Sequence, residues 1–244
     1  MRPTTFVGKS VLVTGANRGL GEALVDEALR RGAHRVYAGT RQPLTCADER
    51  VMPLMFDVTD PAQIQAALDR VDALDILINN AGVSVPDDLN DRSAFERHLA
   101  VNLYGTLDVT WACLPLLTRS RGAMVNVVSV GAVAAIPVLP AYSISKAAAL
   151  SLTQSLRALL AGKGVSVYAV LPGPIDTDMV RDLELPKSPP EDVARAMLDG
   201  VERGDEDIFP DPMSQLLAEG WRLGVAKTLE RQNAALVMSE PIAA

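Results

Sequence analysis

Short runs of β-branched and apolar residues recur along the chain, and between them the apolar positions change to helical spacing. SVLVT (10–14), RVYAG (35–39), VMPLMF (51–56), DILIN (75–79), AMVNVV (123–128) and VSVYAVL (165–171) predict strands, with a brief DIFP (207–210) as a seventh. Helices are predicted near 19–31, 61–71, 92–119, 142–161 and 189–203. Asp60-Pro61 offers a side-chain acceptor at N-cap and a proline at the first helical position, and Ser188-Pro-Pro-Glu191 has capping-box spacing. Strands that are apolar throughout and alternate with helices predict a parallel sheet covered on both faces. Right-handed crossovers make a doubly wound α/β sheet of about seven strands the default. No repeat or linker interrupts 1–244, so one domain is expected, with a helical tail over about 213–238.

Two stretches within this pattern carry candidate chemistry. TGANRGLG (14–21) follows the first strand and opens the first helix. Glycines there let the backbone turn tightly and approach a pyrophosphate at a helix N-terminus. The spacing, Gly15-x3-Gly19-x-Gly21, differs from GxGxxG, and phosphate binding remains the favoured reading over a plain turn. Gly8-Lys9-Ser10 imitates the end of a P-loop, but Pro3 stands where its first glycine belongs, and the segment precedes the strand. YSISK (142–146) begins a run of good helix formers that extends to Gly162. Tyr142 and Lys146 then share one helix face.

Composition narrows the partners. With 48% hydrophobic residues the 244-residue chain can build an ordinary core, and a net charge of −7 without a basic block argues against nucleic acid. Two lone cysteines, Cys46 and Cys113, fit a reducing compartment, and with only His34 and His98 no metal site is expected. Gly122 to Ser145 carries no charge, but Asn126, Ser129, Pro137, Pro140 and Ser143 make it a strand, loop and helix start rather than a membrane span. MRPTTFVGKS has no secretory h-region, so a soluble, cytoplasmic chain is expected.

TGANRGLG, NNAG (79–82) and YSISK stand in order with Asn102 in AVNLYG, Ser129 in NVVSV and PGPIDT (172–177). On these motifs the chain, from about Lys9 to Met179, resembles the classical short-chain dehydrogenase/reductase family. The resemblance implies a Rossmann-type fold and NAD(P)(H)-dependent oxidation of alcohols or reduction of carbonyls. It implies that Tyr142 is the general acid/base. Lys146 would bind the nicotinamide ribose and lower the tyrosine's pKa. Ser129 would hydrogen-bond the substrate oxygen, and Asn102 would bend its helix and hold a relay water. For the cofactor it implies Gly15, Asn17, Arg18, Gly19, Leu20 and Gly21 at the turn, and Asn80, Ala81 and Gly82 along the middle. Asp57 would meet the adenine amino group beside Val58, and Pro172, Gly173, Ile175 and Thr177 would hold the nicotinamide carboxamide. Asp57 and Thr177 also read as turn or cap residues, and His98 reads as a surface or interface residue.

The physical chemistry agrees with the central roles. A tyrosine titrates near ~10, and a nearby ammonium and a cationic nicotinamide both favour its phenolate. Ser129 falls at the C-terminal end of a strand, where doubly wound sheets bind ligands. The second strand ends AGTRQ (38–42), so Gly39 and Thr40 stand where an acidic residue would select NAD, and Arg41 follows. Arg41 and Arg18 could grip a 2′-phosphate, which predicts NADP(H) over NAD(H).

A loop over about 176–190 would cover the substrate. Its Met179, Val180, Leu183 and Leu185, with Val130, Val133, Ile136 and Leu139, suggest an apolar pocket. The segment after the last strand lacks the glycine pair that resemblance leads one to expect, which favours a homodimer over a tetramer. The dimer face would use helices 92–119 and 142–161, the latter with Ala147, Ala148 and Ala149. The competing readings are a non-catalytic dinucleotide-binding regulator, which needs no acid/base, and a serine hydrolase, for which no GxSxG is present.

Overall fold

The computed structural model describes residues 3–182 and 184–239. Its strands are β1 (Ser10–Thr14), β2 (Arg35–Thr40), β3 (Val51–Met55), β4 (Ile76–Asn79), β5 (Ala123–Val127), β6 (Ser166–Val170) and β7 (Asp207–Ile208). Its helices are α1 (Gly19–Arg30), α2 (Pro61–Leu68), α3 (Arg92–Leu99), α4 (Thr106–Ser120), α5 (Pro140–Ala161), α6 (Pro190–Arg203), α7 (Pro212–Leu223) and α8 (Val225–Ser239). The strands form one seven-stranded sheet in the order β3-β2-β1-β4-β5-β6-β7, and every pairing is parallel. The strand order reverses beside β1, which opens a crevice at the C-terminal ends of β1 and β4.

Alternate residues of each strand feed two cores. Val11, Val13, Ile76 and Ile78 face Leu24 of α1 and Met197 and Leu198 of α6. Leu12, Leu77 and Met124 face Ile64 of α2, Leu117 of α4 and Leu156 of α5. Each such fully buried side chain stabilises the fold by ~1.5–3 kcal/mol, so both faces of the sheet are strongly covered. This is the Rossmann-type arrangement. Among the described residues, no helix is long and apolar enough to cross a membrane.

Three local features differ from, or refine, the sequence pattern. The stretch 92–119 is not one regular helix, because Ala100–Gly105 is π-helical between α3 and α4. Gly105 is required there, since a Cβ would lie 2.8 Å from Cγ2 of Val58. Asp60 caps α2 as expected, accepting from the amides of Ala62 and Gln63. The capping box at Ser188 does not form: α6 starts after Pro189 with no side-chain cap. A residue before proline is driven to extended backbone, and Ser188 uses that geometry to bridge Ile175.

The tail is two helices broken at Gly224. A buried ion network fixes it to the sheet. Asp207 accepts from Arg157 at 2.7 Å and from Lys227 at 2.7 Å, and Lys227 also pairs with Glu206 at 3.0 Å and Glu230 at 2.9 Å. The indole of Trp221 donates to Asp207 at 2.7 Å. Lys227 is 2% exposed.

Candidate active site

The glycine-rich turn lies at the C-terminal end of β1. A Cβ at Gly21 would sit 2.0 Å from the carbonyl oxygen of Gly15, so the turn can close only on glycine. The side chain of Asn80 holds the turn from behind, donating to the carbonyls of Thr14 at 2.9 Å and Gly15 at 3.2 Å. The Thr14 hydroxyl in return accepts from the amides of Asn80 and Ala81, both at 3.0 Å. The side chain of Asn80 is thus spent on shaping the turn. Asn17 and Arg18 are exposed on the turn, and Leu20 is buried beneath it. Lys9 of the P-loop imitation bonds Asp75 at 2.9 Å instead.

At the C-terminal end of β5, Ser129 caps a short 3-10 turn, its hydroxyl accepting from the Gly131 amide at 3.0 Å. It also acts on the phenol of Tyr142, favouring the ionised form. Pro140 starts α5 two residues before that tyrosine, with its fixed φ suited to the first turn. Lys146, one turn on and 5% exposed, donates to the carbonyl of Val127 at 2.8 Å. That is its one hydrogen bond among the described residues, so two of its three donors remain for a ligand. A Cβ at Gly82 would lie 3.6 Å from that ammonium and 3.4 Å from Oδ1 of Asn102. The missing side chain at Gly82 keeps the space in front of Lys146 open.

Electrostatics here differ from the expectation. The ammonium lies 5.8 Å from the centre of the Tyr142 ring. Burial pushes the phenol above its ordinary 10.0, and the bond with Ser129 offsets only part of that rise. Burial pushes Lys146 down to about 8. Burial rather than the lysine sets the direction of the phenol's shift.

Asn102 sits in the π-helical segment. Its amide donates to the Val83 carbonyl at 3.0 Å and the Ser145 hydroxyl at 2.9 Å, and its Oδ1 accepts from the Val83 amide at 2.9 Å. Ser145 passes the chain on to the carbonyl of Tyr142 at 2.7 Å. Ser143 fixes the other flank, accepting from the Ile136 amide at 2.9 Å. Neither serine was singled out in the sequence, since nothing local distinguishes them from ordinary helix residues.

His98 is a correction. It is fully buried, not at the surface. Its Nε2 accepts from the Val85 amide at 3.1 Å and its Nδ1 meets the Ala94 carbonyl at 2.7 Å, so the ring is the neutral Nδ1–H tautomer. It stands edge-on to the Tyr142 ring, 6.5 Å away. Asp87, also missed, accepts from the Ala141 amide at 3.2 Å and so ties the loop after β4 to the start of α5.

The adenosine end is less assembled. Thr40 is buried and uses its hydroxyl on Gln42 in both directions, at 3.0 and 3.2 Å. Asp57 accepts from the Thr59 amide and hydroxyl at 2.9 and 2.8 Å, the turn role weighed for it above. Val58 is buried against Gly105. Arg41 is 74% exposed, with its nearest carboxylate, Asp57, at 3.8 Å. Arg18 pairs with Asp178, which also binds Arg181, on the loop across the crevice.

That loop meets the glycine-rich turn directly. A Cβ at Gly19 would lie 2.9 Å from Cγ2 of Thr177. The hydroxyl of Thr177 donates to the Ile175 carbonyl at 3.3 Å, and Pro172 is buried. Of the expected apolar lining, Met179 and Val133 are exposed, and Val130, Ile136, Val180 and Leu185 are half-buried. Leu139 is a buried packing residue, and Leu183 lies outside the described residues. On α5, Ala147 is exposed and Ala148 half-buried, but Ala149 is buried within its own chain and cannot join an interface.

Comparison with known proteins supplies the identity that geometry alone leaves open. The family model for short chain dehydrogenase matches residues 9–187. A short chain dehydrogenase from Burkholderia cenocepacia, solved in complex with NADP, shares 37% identity and superposes with a TM-score of 0.86 over 94% of this chain and 98% of that one. Oxidoreductase UcpA of Escherichia coli is 35% identical over 213 residues, 80% of this chain and 81% of that protein. Estradiol 17-beta-dehydrogenase 2 of Mus musculus is 35% identical over 188 residues, which span 70% of this chain and 49% of that protein. With its fold, its motifs and these likenesses together, the chain belongs to the short-chain dehydrogenase family of oxidoreductases.

Proposed function

We propose that the protein is an NADP(H)-dependent carbonyl reductase or secondary-alcohol dehydrogenase with Tyr142 as general acid/base. The observation that carries this reading is the buried Lys146 ammonium, with donors to spare, one helical turn from Tyr142 and 5.8 Å from its ring, beside Ser129 at the end of β5. The cofactor supplies the hydride. Ser129 and Tyr142 direct two hydroxyls at the substrate oxygen, where negative charge grows as the carbonyl is reduced. Tyr142 gives its proton to that oxygen, and the product is the alcohol. Lys146 holds the ribose from the space that Gly82 leaves open. Asn102, through Ser145, fixes the carbonyl of Tyr142 and with it the first turn of α5.

Two observations support NADP(H). The Burkholderia relative was solved with NADP, and no carboxylate of β2 occupies the ribose position, where Gly39 and Thr40 stand. Arg18 and Arg41 lie in exposed ion pairs, which are worth only ~0–1 kcal/mol each. A dianionic phosphate can outbid such partners through charge-assisted bonds. The half-buried Ile136, Val180 and Leu185 and the exposed Met179 favour an apolar substrate, and the open Ala147–Ala148 face of α5 favours a homodimer.

The test is NADPH consumption over a panel of ketones and aldehydes, with the reverse reaction over alcohols. Tyr142→Phe should abolish turnover and leave cofactor affinity nearly intact, because it removes only the transferable proton. Near-normal turnover in that variant would overturn the mechanism. A wild type that binds the cofactor yet turns over nothing would favour the regulator reading.

A further inference from the structure

The chain leaves β7 at Ile208 and enters α7 through Phe209-Pro210-Asp211-Pro212. Asp211 is 2% exposed. Its Oδ1 accepts from the Ser214 amide at 3.0 Å, and Ser214 answers from its side chain to complete a capping box. Its Oδ2 leaves the helix and accepts from the Gly173 amide at 2.7 Å. A cap does not need that second bond. Asp60, the other Asp-Pro cap, spends all its recorded bonds on Ala62 and Gln63 of its own helix. Gly173 is fitted to the contact: a Cβ there would lie 2.7 Å from Oδ1 of Asp211 and 3.2 Å from Sδ of Met213.

Gly173 belongs to the turn Pro172–Thr177. Backbone bonds hold Pro172 to Val130 and Pro174 and Asp176 to Ser188, and Thr177 meets Gly19, so that Gly173 is the one glycine of the turn left to a third kind of anchor, a side chain. Asp211 supplies the third, through a buried carboxylate, and such charge-assisted bonds are short and stiff. We propose that Asp211 is a positioning residue: through Gly173 it sets the backbone that receives the nicotinamide end of the cofactor, and it makes the α7–α8 hairpin a structural support of the reaction centre. The proposal rests on the cofactor reading above. It assigns the tail a purpose that its sequence does not reveal.

The test compares Asp211→Ala, Asp211→Asn and Ser214→Ala by calorimetric binding of NADP+ and of 2′,5′-ADP, which carries only the adenosine end. Asp211→Ala should weaken NADP+ by roughly tenfold and leave 2′,5′-ADP unchanged, because one buried charge-assisted bond is lost at one end only. Asp211→Asn, with one acceptor left for two amides, should fall between wild type and Asp211→Ala, and it carries the test if the alanine variant does not fold. Ser214→Ala removes the other half of the capping box and should lower Tm without altering either affinity. A second readout is deuteride transfer from 4-deuterated NADPH: a loosened nicotinamide should show loss of facial fidelity in Asp211→Ala alone. Equal weakening of both ligands, no weakening of NADP+, or the same pattern in Ser214→Ala would overturn the proposal. Wild type that binds NADP+ but reduces no carbonyl would overturn the proposed reaction and leave the binding comparison decisive for Asp211.

Discussion

Tyr142 keeps its proton more tightly than an exposed tyrosine, since burial raises its pKa above 10.0. On the proposed mechanism, reduction uses the protonated phenol and oxidation uses the phenolate. Titration of the phenol should therefore leave carbonyl reduction level up to strongly alkaline pH, and a fall above about pH 8 would report Lys146 instead. Alcohol oxidation should climb about tenfold per pH unit until the phenol titrates, since the reactive form is the minor one. Stopped-flow rates in both directions from near-neutral to strongly alkaline pH check this; an oxidation rate independent of pH would mean that another base takes the proton. Lys146 has the opposite trend, its burial favouring the neutral amine above about 8. Arg41 decides cofactor choice on this reading. Arg41→Ala should cost NADPH roughly tenfold in kcat/KM and NADH about nothing, the loss expected of one charge-assisted bond to a phosphate. Equal losses for both cofactors would remove Arg41 from the phosphate site.

At the scale of elements, two glycines predict opposite outcomes for one substitution. Gly105 closes the π-helical segment against Val58, with 2.8 Å to the position a Cβ would take. Gly105→Ala should destabilise by ~1–3 kcal/mol through overpacking, and it should disturb Asn102 in the same segment. Gly162, the C-cap of α5, has φ −66 and open space around its Cβ position. Gly162→Ala should stabilise by ~0.4–1 kcal/mol by restricting the unfolded chain. Urea denaturation of the two variants gives both signs.

The elements themselves were legible because each announces itself within a few residues. β1 is SVLVT between a turn and a glycine cluster, and α2 begins at Asp60-Pro61. A parallel sheet covered on both faces followed from the alternation of apolar strands with helices, whereas its strand order came only with the structure. What the pattern could not show were bonds between distant positions. Asn102 reaches Ser145 across 43 residues, Asp211 reaches Gly173 across 38 and Arg18 reaches Asp178 across 160. Periodicity reports which side of a segment is buried, not which polar group it meets. His98 was misread for that reason: a charged-looking helix, RSAFERHL, hides a ring whose two nitrogens find partners only after folding. Ser188 was misread for a local reason, that the proline after it restrains its backbone more than a cap would reward it.

The whole molecule depends on charges that it buries. Burial alone would raise the pKa of Asp207, but Arg157 and Lys227 outweigh it and hold the carboxyl below its ordinary 3.8. A carboxylate depressed in this way contributes its stability above the unfolded pKa and loses it as pH falls through the folded value. The hairpin should thus hold at neutral pH and weaken only below about pH 4. Lys227→Met should cost about 3 kcal/mol at pH 7, because it leaves Glu230 and Asp207 short of one buried partner. In that variant the acid transition should also shift upward. Denaturation at pH 7 and at pH 3–4 measures both, with ~4 as the ordinary carboxylate midpoint; an unchanged acid midpoint would show that the network does not govern it.

The same tie between β7, α7 and the turn at Gly173 sets an order of events during synthesis. Tyr142 and Lys146 leave the ribosome roughly 60–85 residues ahead of Asp207, Asp211 and Lys227, an interval of about 3–17 s at 5–20 residues per second. Through that interval β1 to β6 can pair and the glycine-rich turn can close, while Gly173 still lacks its carboxylate partner. A nascent chain would then hold the adenosine half of a cofactor before it can register the other half. The proposed acid/base pair is made early, and the geometry that would put it to use waits for the last strand.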